Sequence, residues 1–317
     1  MLESLPRAVV SVLAGSVILR RLATRYGMRQ PDSFARQFVA GETVEEAIAA
    51  ARAAGQAGLG PILDYLGEHV SSTDAAAAET RQYLSIMADL ERAGVGRRLS
   101  VKLSQLGGDV DRATSIDNLR RVFEAAHPTG FFIRVDMEGS QYTTLTFDAF
   151  ETLWSIGYRN IGIAIQACLR RSAADVERLI GLGASVRLVK GAYHEPREAA
   201  FQHKAEVDAS FIALMKALID RGTMPALATH DEAMVAETIR HAASRGVAKD
   251  RYEFEMLYGV RRDLQTRLVS EGHTVNVYIP FGQHWFPYFM RRLGERPANV
   301  AFVLKSLLRE KGESVRG

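Results

Sequence analysis

Apolar residues recur along this chain with two different periods, and the period changes near residue 60. Over the first half-hundred residues the spacing is helical. Ala8–Tyr26, Asp32–Phe38 and Thr43–Ala54 each read as helix, with Thr43 as an N-cap for Glu46. Nothing there alternates as a strand does, and the Gly-rich stretch Gly55–Gly60 then punctuates the chain. Beyond it, short strand-like segments alternate with longer helical ones. Strands are expected at Pro61–Leu66, Leu99–Ser104, Phe131–Asp136, Asn160–Gln166, Ser185–Lys190, Ala226–Thr229, Tyr252–Met256 and Thr274–Ile279. Helices are expected between them at Asp74–Ala93, Ile116–Ala126, Phe147–Ile156, Ala173–Leu182, Ala199–Arg221, Glu232–Ser244 and Tyr258–Ser270, and a last one, Trp285–Gly294, follows the eighth strand. Eight such units over roughly 250 residues have the size of a TIM-type (β/α)8 barrel. The expected fold is therefore α/β: a helical arm over residues 1–55, a barrel over 56–317, and a final helix over the active site. A doubly wound open sheet is the alternative. No glycine fingerprint opens a helix after a strand, and there is no GxxxxGK phosphate loop, internal repeat or low-complexity segment.

The polar residues inside these strands carry the chemistry. A parallel barrel strand turns one face to the helices and the other to the lumen, so its side chains alternate. Lys102 opposes Val101 and Leu103; Arg134, Asp136 and Glu138 oppose Ile133, Val135 and Met137. Arg187 faces away from Val186 and Leu188, Glu253 and Glu255 flank Phe254, and Asn276 and Tyr278 oppose Val275, Val277 and Ile279. Unpaired charges in a lumen cost several kcal/mol each, so these must pair with one another or with a ligand. Most are expected near the C-terminal strand ends, where barrel active sites are built. An ion-pair network that only fills the lumen is the simpler alternative.

Composition narrows the class. The 317 residues are 47% hydrophobic and 24% charged, with 40 basic against 37 acidic residues and a formal net charge of +3. That balance gives no basic surface for nucleic acid. The single cysteine, Cys168, excludes an internal disulfide and any multi-cysteine metal site; a core position and a reducing, cytoplasmic compartment are expected, and no metal. Ala8–Leu19 is apolar but ends at Arg20 and Arg21, short of the about 20 residues a spanning helix needs. Only Arg7 precedes it, which does not suit a secretory signal. A buried first helix is the plainer reading and a membrane-surface helix the alternative. In Trp285–Gly294 and just beyond it, Trp285, Phe286, Phe289, Met290 and Leu293 share one side, and Tyr288, Arg291, Arg292 and Glu295 the other. Alone this is an ordinary amphipathic helix with a polar stripe toward solvent, yet two adjacent arginines also suit bidentate capture of a carboxylate.

Several strings then fall into a known order: Leu63-Asp64-Tyr65-Leu66-Gly67-Glu68, Ser100-Val101-Lys102-Leu103-Ser104, Ile165-Gln166-Ala167, Arg187-Leu188-Val189-Lys190-Gly191-Ala192-Tyr193, Ala228-Thr229-His230, Glu255-Met256-Leu257-Tyr258-Gly259, Tyr278-Ile279-Pro280-Phe281-Gly282, and Tyr288 with Arg291-Arg292-Leu293-Gly294-Glu295. On these, residues 97–317 with Gly60–Glu68 resemble the proline dehydrogenase family, in its monofunctional bacterial form. The resemblance implies an FAD-containing barrel that oxidises L-proline to Δ1-pyrroline-5-carboxylate by hydride transfer to flavin N5, with electrons passed to a membrane quinone. It implies that Lys102, Arg291 and Arg292 clamp the substrate carboxylate, that Tyr278, Leu257 and Tyr288 pack against the pyrrolidine ring, and that Asp136 orients the charged groups. Glu68 would pair with Arg291 as a gate. FAD would be held by Gln166, Arg187 and Lys190, by Gly191, Ala192 and His194 in the following loop, by Thr229 and His230, by Lys204 in the adenosine-binding segment, and by Glu295 on the flavin side. His194 departs from the larger aromatic residues of some relatives. Peripheral membrane contact is consistent with quinone use, no base for amine deprotonation is named beyond water, and the oligomeric state is open. Other barrel enzymes compete, a Schiff-base aldolase using Lys102 or a flavin-dependent folate reductase, as does a non-enzymatic proline-binding barrel.

Overall fold

The computed structural model describes Met28, residues 33–193 and residues 195–294. The expected helix Ala8–Tyr26, with its apolar run, lies outside these residues. Among them, eight parallel strands close into a barrel in sequence order: β1 Gly60–Tyr65, β2 Arg98–Val101, β3 Phe132–Val135, β4 Ile161–Gln166, β5 Ser185–Val189, β6 Ala226–Ala228, β7 Glu253–Leu257 and β8 Val275–Phe281. Pairing of β1 with β8, in register from Gly60↔Asn276 to Tyr65↔Phe281, closes the ring. Helices follow each strand: α2 Thr73–Ala93, α3 Arg112–Thr129, α4 Thr143–Ser155, α5 Ser172–Leu182, α6 Lys204–Arg221, α7 Glu232–Ser244, α8 Arg262–Ser270 and α9 Trp285–Gly294, with α1 Val44–Gln56 preceding β1. The expected (β/α)8 barrel is the fold found. No helix among the described residues is long and apolar enough to cross a membrane.

The alternation seen in the sequence is the reason the ring closes. Leu63, Leu99, Val101, Ile133, Val135, Ile163, Val186, Leu188, Phe254, Val277 and Ile279 point outward and are buried under the helices. The other parity points inward and is mostly polar. Small residues make room for it: a Cβ on Gly162 of β4 would sit 2.6 Å from Arg134 Nη1, so β4 has no side chain there. Alanines at 164, 226 and 228 leave similar space.

Most boundaries fall within one to three residues of expectation, and four helix starts differ by more: α3 and α4 begin four residues earlier, at Arg112 and Thr143, and α6 and α8 begin later. The segment 199–203, read as helix, pairs with 168–170 instead: Arg170 N–H donates to Ala199 O and Phe201 N–H to Cys168 O. The helix therefore begins at Lys204, where Glu206 and His203 form a capping box. Helix α8 begins at Arg262 rather than Tyr258, because Gly259 (φ 74°) and Arg261 (φ 51°) turn the chain left-handed first. The region expected as helix at Asp32–Phe38 is a 3-10 turn, Phe34–Gln37. The Thr43 cap is confirmed, with Thr43 Oγ1 accepting from Glu46 N–H and Glu46 Oε2 accepting from Thr43 N–H.

Helix α1 buries Ala47, Ala51 and Ala54 in the same core as β1 and β8. Helix α9 packs elsewhere. Its Trp285, Phe286, Phe289 and Met290 form a separate cluster with Met28, Ala35, Val39 and Leu66, and Trp285 Nε1 donates to Glu42 Oε1 at 2.8 Å. The segment before α1 thus fixes α9 above the C-terminal end of the barrel. Gly259 is part of that fixation, since a Cβ there would land on the carbonyl of Gln37.

This contact gives a stability prediction. Gly259→Ala must strain a left-handed residue and displace backbone, costing about 3 kcal/mol. Gly94→Ala, at φ 65° with nothing near the added carbon, should cost only about 1 kcal/mol. Thermal unfolding of both variants checks this; equal losses would show that the Gln37 contact is not tight.

Candidate active site

The ionisable side chains of the lumen form one chain of alternating sign. Arg98 donates to both oxygens of Glu253, at 2.8 and 2.7 Å; Arg134 lies 3.7 Å from Glu253 and 3.7 Å from Glu255. Glu255 accepts from Arg187 Nε, Arg187 Nη1 donates to Asp136 at 2.6 Å, Asp136 lies 3.8 Å from Lys102, and Lys102 donates to Asp64 at 2.6 Å. Four cations alternate with four anions, so burial of the set leaves no net charge and each member keeps a partner. The chain runs from Arg98, the first residue of β2, to Lys102 just beyond its end. Arg134, Glu253 and Arg98 therefore lie toward the N-terminal floor, not the C-terminal end where most of the charges were expected. Strand parity places a residue on the lumen face but says nothing of its height.

At the mouth the chain opens into a cavity of 260 Å³. One wall carries Lys102, Asp64, Asp136, Tyr278, Tyr288 and Arg291; the other carries Gln166, Arg187, Lys190, Gly191, Ala192, His230 and Leu257. Burial alone would lower the pKa of Lys102, but Asp64 and Asp136 outweigh it and hold its pKa well above the ordinary lysine value. Burial, with Asp136 and Asp64 beside it, likewise drives the Tyr278 phenol well up, so it donates its proton to Asp136 Oδ2 at 2.7 Å. Arg187 packs over the Tyr278 ring, 5.2 Å from its centroid, and Nη1 also donates to Ser100 Oγ at 2.9 Å. Asp136 is held from two sides and cannot swing.

Helix α9 brings Tyr288 and Arg291 to this mouth. Among the described residues of the polar stripe, the two side chains turn to the cavity and not to solvent as the helix alone suggested: Tyr288 is buried and Arg291 lines the cavity. Arg291 is gripped by both oxygens of Glu68, at 3.0 and 2.5 Å. Glu68 stands behind that arginine on the β1–α2 loop. Its neighbour His69 holds a left-handed φ of 58°, donates its N–H to Ser104 Oγ, and sets its ring against Asp109 Oδ2 at 2.8 Å. Tyr142 also donates to Asp109, and Ser104 donates to the buried Glu138 carboxylate. The loop that presents Glu68 is thereby tied to the loops that follow β2 and β3.

On the opposite wall Gln166 Nε2 donates to Glu138 O at 2.9 Å, and Lys190 is held by Asp208 and Asp231 at 2.5 and 2.7 Å. His230 Nε2 accepts the Leu257 N–H at 2.8 Å. Gly191, at φ 113°, allows no side chain, because a Cβ would collide with Cys168 Sγ and approach Gln166 Oε1. Cys168 is a core residue, as expected, with its thiol pushed by burial up to about 11.

Twelve of the candidate residues thus meet in one cavity: Lys102, Asp136, Gln166, Arg187, Lys190, Gly191, Ala192, His230, Leu257, Tyr278, Tyr288 and Arg291. Three others do not line it. Glu68 stands behind Arg291, Thr229 is buried with Oγ1 accepting from Asp231 N–H, and Lys204 is exposed and paired with Asp208. His194 and Glu295 lie outside the described residues, as does the side chain of Arg292. Asp64 and Tyr193 line the cavity but were not singled out, and Glu255, expected to face the lumen, lines it without having been assigned a role. A signal existed for Asp64, which shares the inward parity of Ile62 in a strand otherwise apolar. Among the described residues, no three groups are placed to bind a metal ion.

Comparison with known proteins adds three findings. A family model described as proline dehydrogenase matches residues 47–305. The proline dehydrogenase of Deinococcus radiodurans is 36% identical over 313 residues, covering 98% of this chain and 100% of that protein. Proline dehydrogenase 1 of Bacillus subtilis is 35% identical over 307 residues, covering 96% and 99%. A solved structure, proline utilization A from Bdellovibrio bacteriovorus inactivated by N-propargylglycine, superposes with a TM-score of 0.78 at 24% identity over 92% of this chain, which spans 38% of that longer one. The fold is shared with it, and the two proline dehydrogenases match this chain over nearly their whole length.

The Lys102–Asp64 pair supplies a direct test of the charge chain. Asp64→Ala leaves a buried ammonium short of its nearest partner and should cost about 3–5 kcal/mol in urea unfolding. Adding Lys102→Met should recover about 2 kcal/mol or more relative to the sum of the single losses. Because the folded pKa of Lys102 is raised, its contribution in the intact protein is complete below the unfolded value of about 10.4 and is lost only as pH rises further. Strictly additive losses would mean that the two side chains do not stabilise each other.

Proposed function

We propose, from the premise that this chain belongs to the proline dehydrogenase family and oxidises proline, that its substrate is L-proline, its cofactor FAD, its product Δ1-pyrroline-5-carboxylate and its electron acceptor a membrane quinone. The observation that carries this reading is the cavity itself, which sets cations for one carboxylate, Lys102 and Arg291, opposite a wall of donors for a flat, electron-rich group. That second wall fits a flavin. Arg187 Nη2 is buried with no partner, and Gly191 and Ala192 line the cavity without long side chains. Gln166, Arg187, Lys190, Gly191, Ala192 and His230 would hold the cofactor, with Lys204, Thr229, His194 and Glu295 contributing at its periphery. When bound, FAD supplies the acceptor for the hydride from proline C5.

The chain's own groups do the rest. Arg291 and Lys102 take the substrate carboxylate, for which Arg291 must exchange Glu68, so the ion pair acts as a gate that yields only to another carboxylate. Arg292 would add a second guanidinium. Leu257, Tyr278 and Tyr288 wall the pyrrolidine ring and exclude water. Asp136, held by hydrogen bonds from Arg187 and Tyr278, orients the substrate amine. Lys102 is held as a cation and cannot serve as the base, so the amine proton leaves to water. The same protonation argues against a Schiff-base aldolase, whose lysine needs its pKa lowered.

Two experiments test this. L-proline added without oxygen should bleach the yellow protein, and Arg291→Met should retain flavin while kcat/KM falls by about 2–4 kcal/mol, mostly through KM; a protein colourless after reconstitution with FAD, or an unchanged KM, contradicts the reading. Deleting Ala8–Leu19 should lower turnover with a membrane quinone and spare it with a soluble dye, and equal loss with both would assign that segment to folding.

A further inference from the structure

We propose that the floor of the barrel carries a second binding site, remote from the mouth, for a small organic anion with a flat apolar body. A cavity of 390 Å³ opens there beneath β3 and β5, walled by Arg98, Arg134, Arg159, Phe132, Trp154 and Met224, with Glu253 as its acidic residue. Arg98 is already spent on both oxygens of Glu253. Arg134 is not. It is 3% exposed, its Nη1 donates to Ser185 O and Oγ at 3.1 and 3.2 Å, its Nε has no partner, and its carboxylates lie 3.7 Å away, each with a nearer arginine. Burial, reinforced by the charges of Arg187 and Arg98, pulls its guanidinium down to about 10. Within the alternating chain Arg134 is the cation least well compensated, and it lines this cavity.

The second cation is prepared in a different way. Arg159 lies flat over the Trp154 ring, 4.2 Å from its centroid, and Nη1 donates to the carbonyls of Trp154 and Tyr158 at 2.7 and 2.9 Å. Its plane is fixed and its other N–H groups remain for a ligand. Arg134 sits 5.1 Å over the Phe132 ring. Two guanidinium groups and two aromatic rings therefore bound one concave space, a combination that suits an aromatic carboxylate better than a bare inorganic ion. Apolar surface adjoins it as well. Met224, one of the exposed large hydrophobics among the described residues, lines this cavity, and the other two, Ile156 just after α4 and Leu182 at the end of α5, lie at helix ends of the same end of the barrel. Met224 holds a left-handed φ of 45°, with its carbonyl accepting from Ser185 Oγ at 3.0 Å, and strain of that kind is kept where a site needs a particular shape.

The test is calorimetric titration of the holoenzyme with benzoate, acetate and inorganic phosphate as probes. Benzoate should bind one per chain with Kd below about 1 mM, and acetate and phosphate about tenfold more weakly. Arg159→Ala, an exposed change, should weaken benzoate about tenfold or more and leave proline turnover unchanged, whereas Arg291→Met should leave benzoate affinity intact. Arg134→Met should abolish binding; should it fail to fold, the Arg159→Ala result decides alone. No benzoate binding, binding that Arg291→Met removes and Arg159→Ala does not, or phosphate binding more tightly than benzoate would each overturn the proposal.

Discussion

The alternation of sign from Arg98 to Asp64 is the constraint on which the remaining structure depends. A barrel lumen has little water to solvate a charge, so none of the eight groups can be ionised alone. Linked in sequence, each is stabilised by the next, and the set is neutral. This explains why β4 and β6 are stripped to glycine and alanine on their inner face: the volume they give up is filled by Arg134 and Arg187. It also fixes the protonation states that the mouth presents. Lys102 is a cation and Tyr278 a neutral phenol, and both Tyr278 and Arg187 donate to Asp136.

The two ends of the chain of charges are not equivalent. At the mouth, Arg291 enters from α9 rather than from a strand, and its partner Glu68 comes from a loop held by Ser104, Asp109 and Tyr142. That pair can open without disturbing the lumen, because neither member belongs to the barrel ring. At the floor, Arg134 is itself a strand residue and cannot move, so any compensation must come to it. A mobile pair above and a fixed, undersupplied cation below are consistent with substrate exchange at one end and static anion capture at the other.

The fold was legible because period-2 and period-3.6 patterns alternate cleanly. Helix α9 and helix α7 were placed to the residue, and all eight strands were found. The misplaced starts of α6 and α8 have a common cause. At 199–203 the backbone groups bond across to 168–170, and at Gly259 and Arg261 the chain turns left-handed; both are tertiary demands that helix periodicity does not encode. In the site, parity showed which residues face inward, but not that Lys102 would find Asp64 across 38 positions or that Arg134 and Glu253 would lie low. Height in a barrel is set by strand stagger, a property of the closed ring. The Glu68–Arg291 contact, spanning 223 positions, was accessible only through resemblance to a family. The orientation of α9 depended on the cluster around Met28, Val39 and Leu66, which no local pattern in the helix reveals.

The most direct measurement is a crystal structure of the flavin-loaded protein with an inert proline analogue that keeps the ring and the carboxylate. The account predicts the analogue's carboxylate within about 3 Å of both Lys102 Nζ and the Arg291 guanidinium, Glu68 released, and Lys102 still bonded to Asp64. A carboxylate lodged away from Lys102, with the Glu68–Arg291 pair intact, would contradict it.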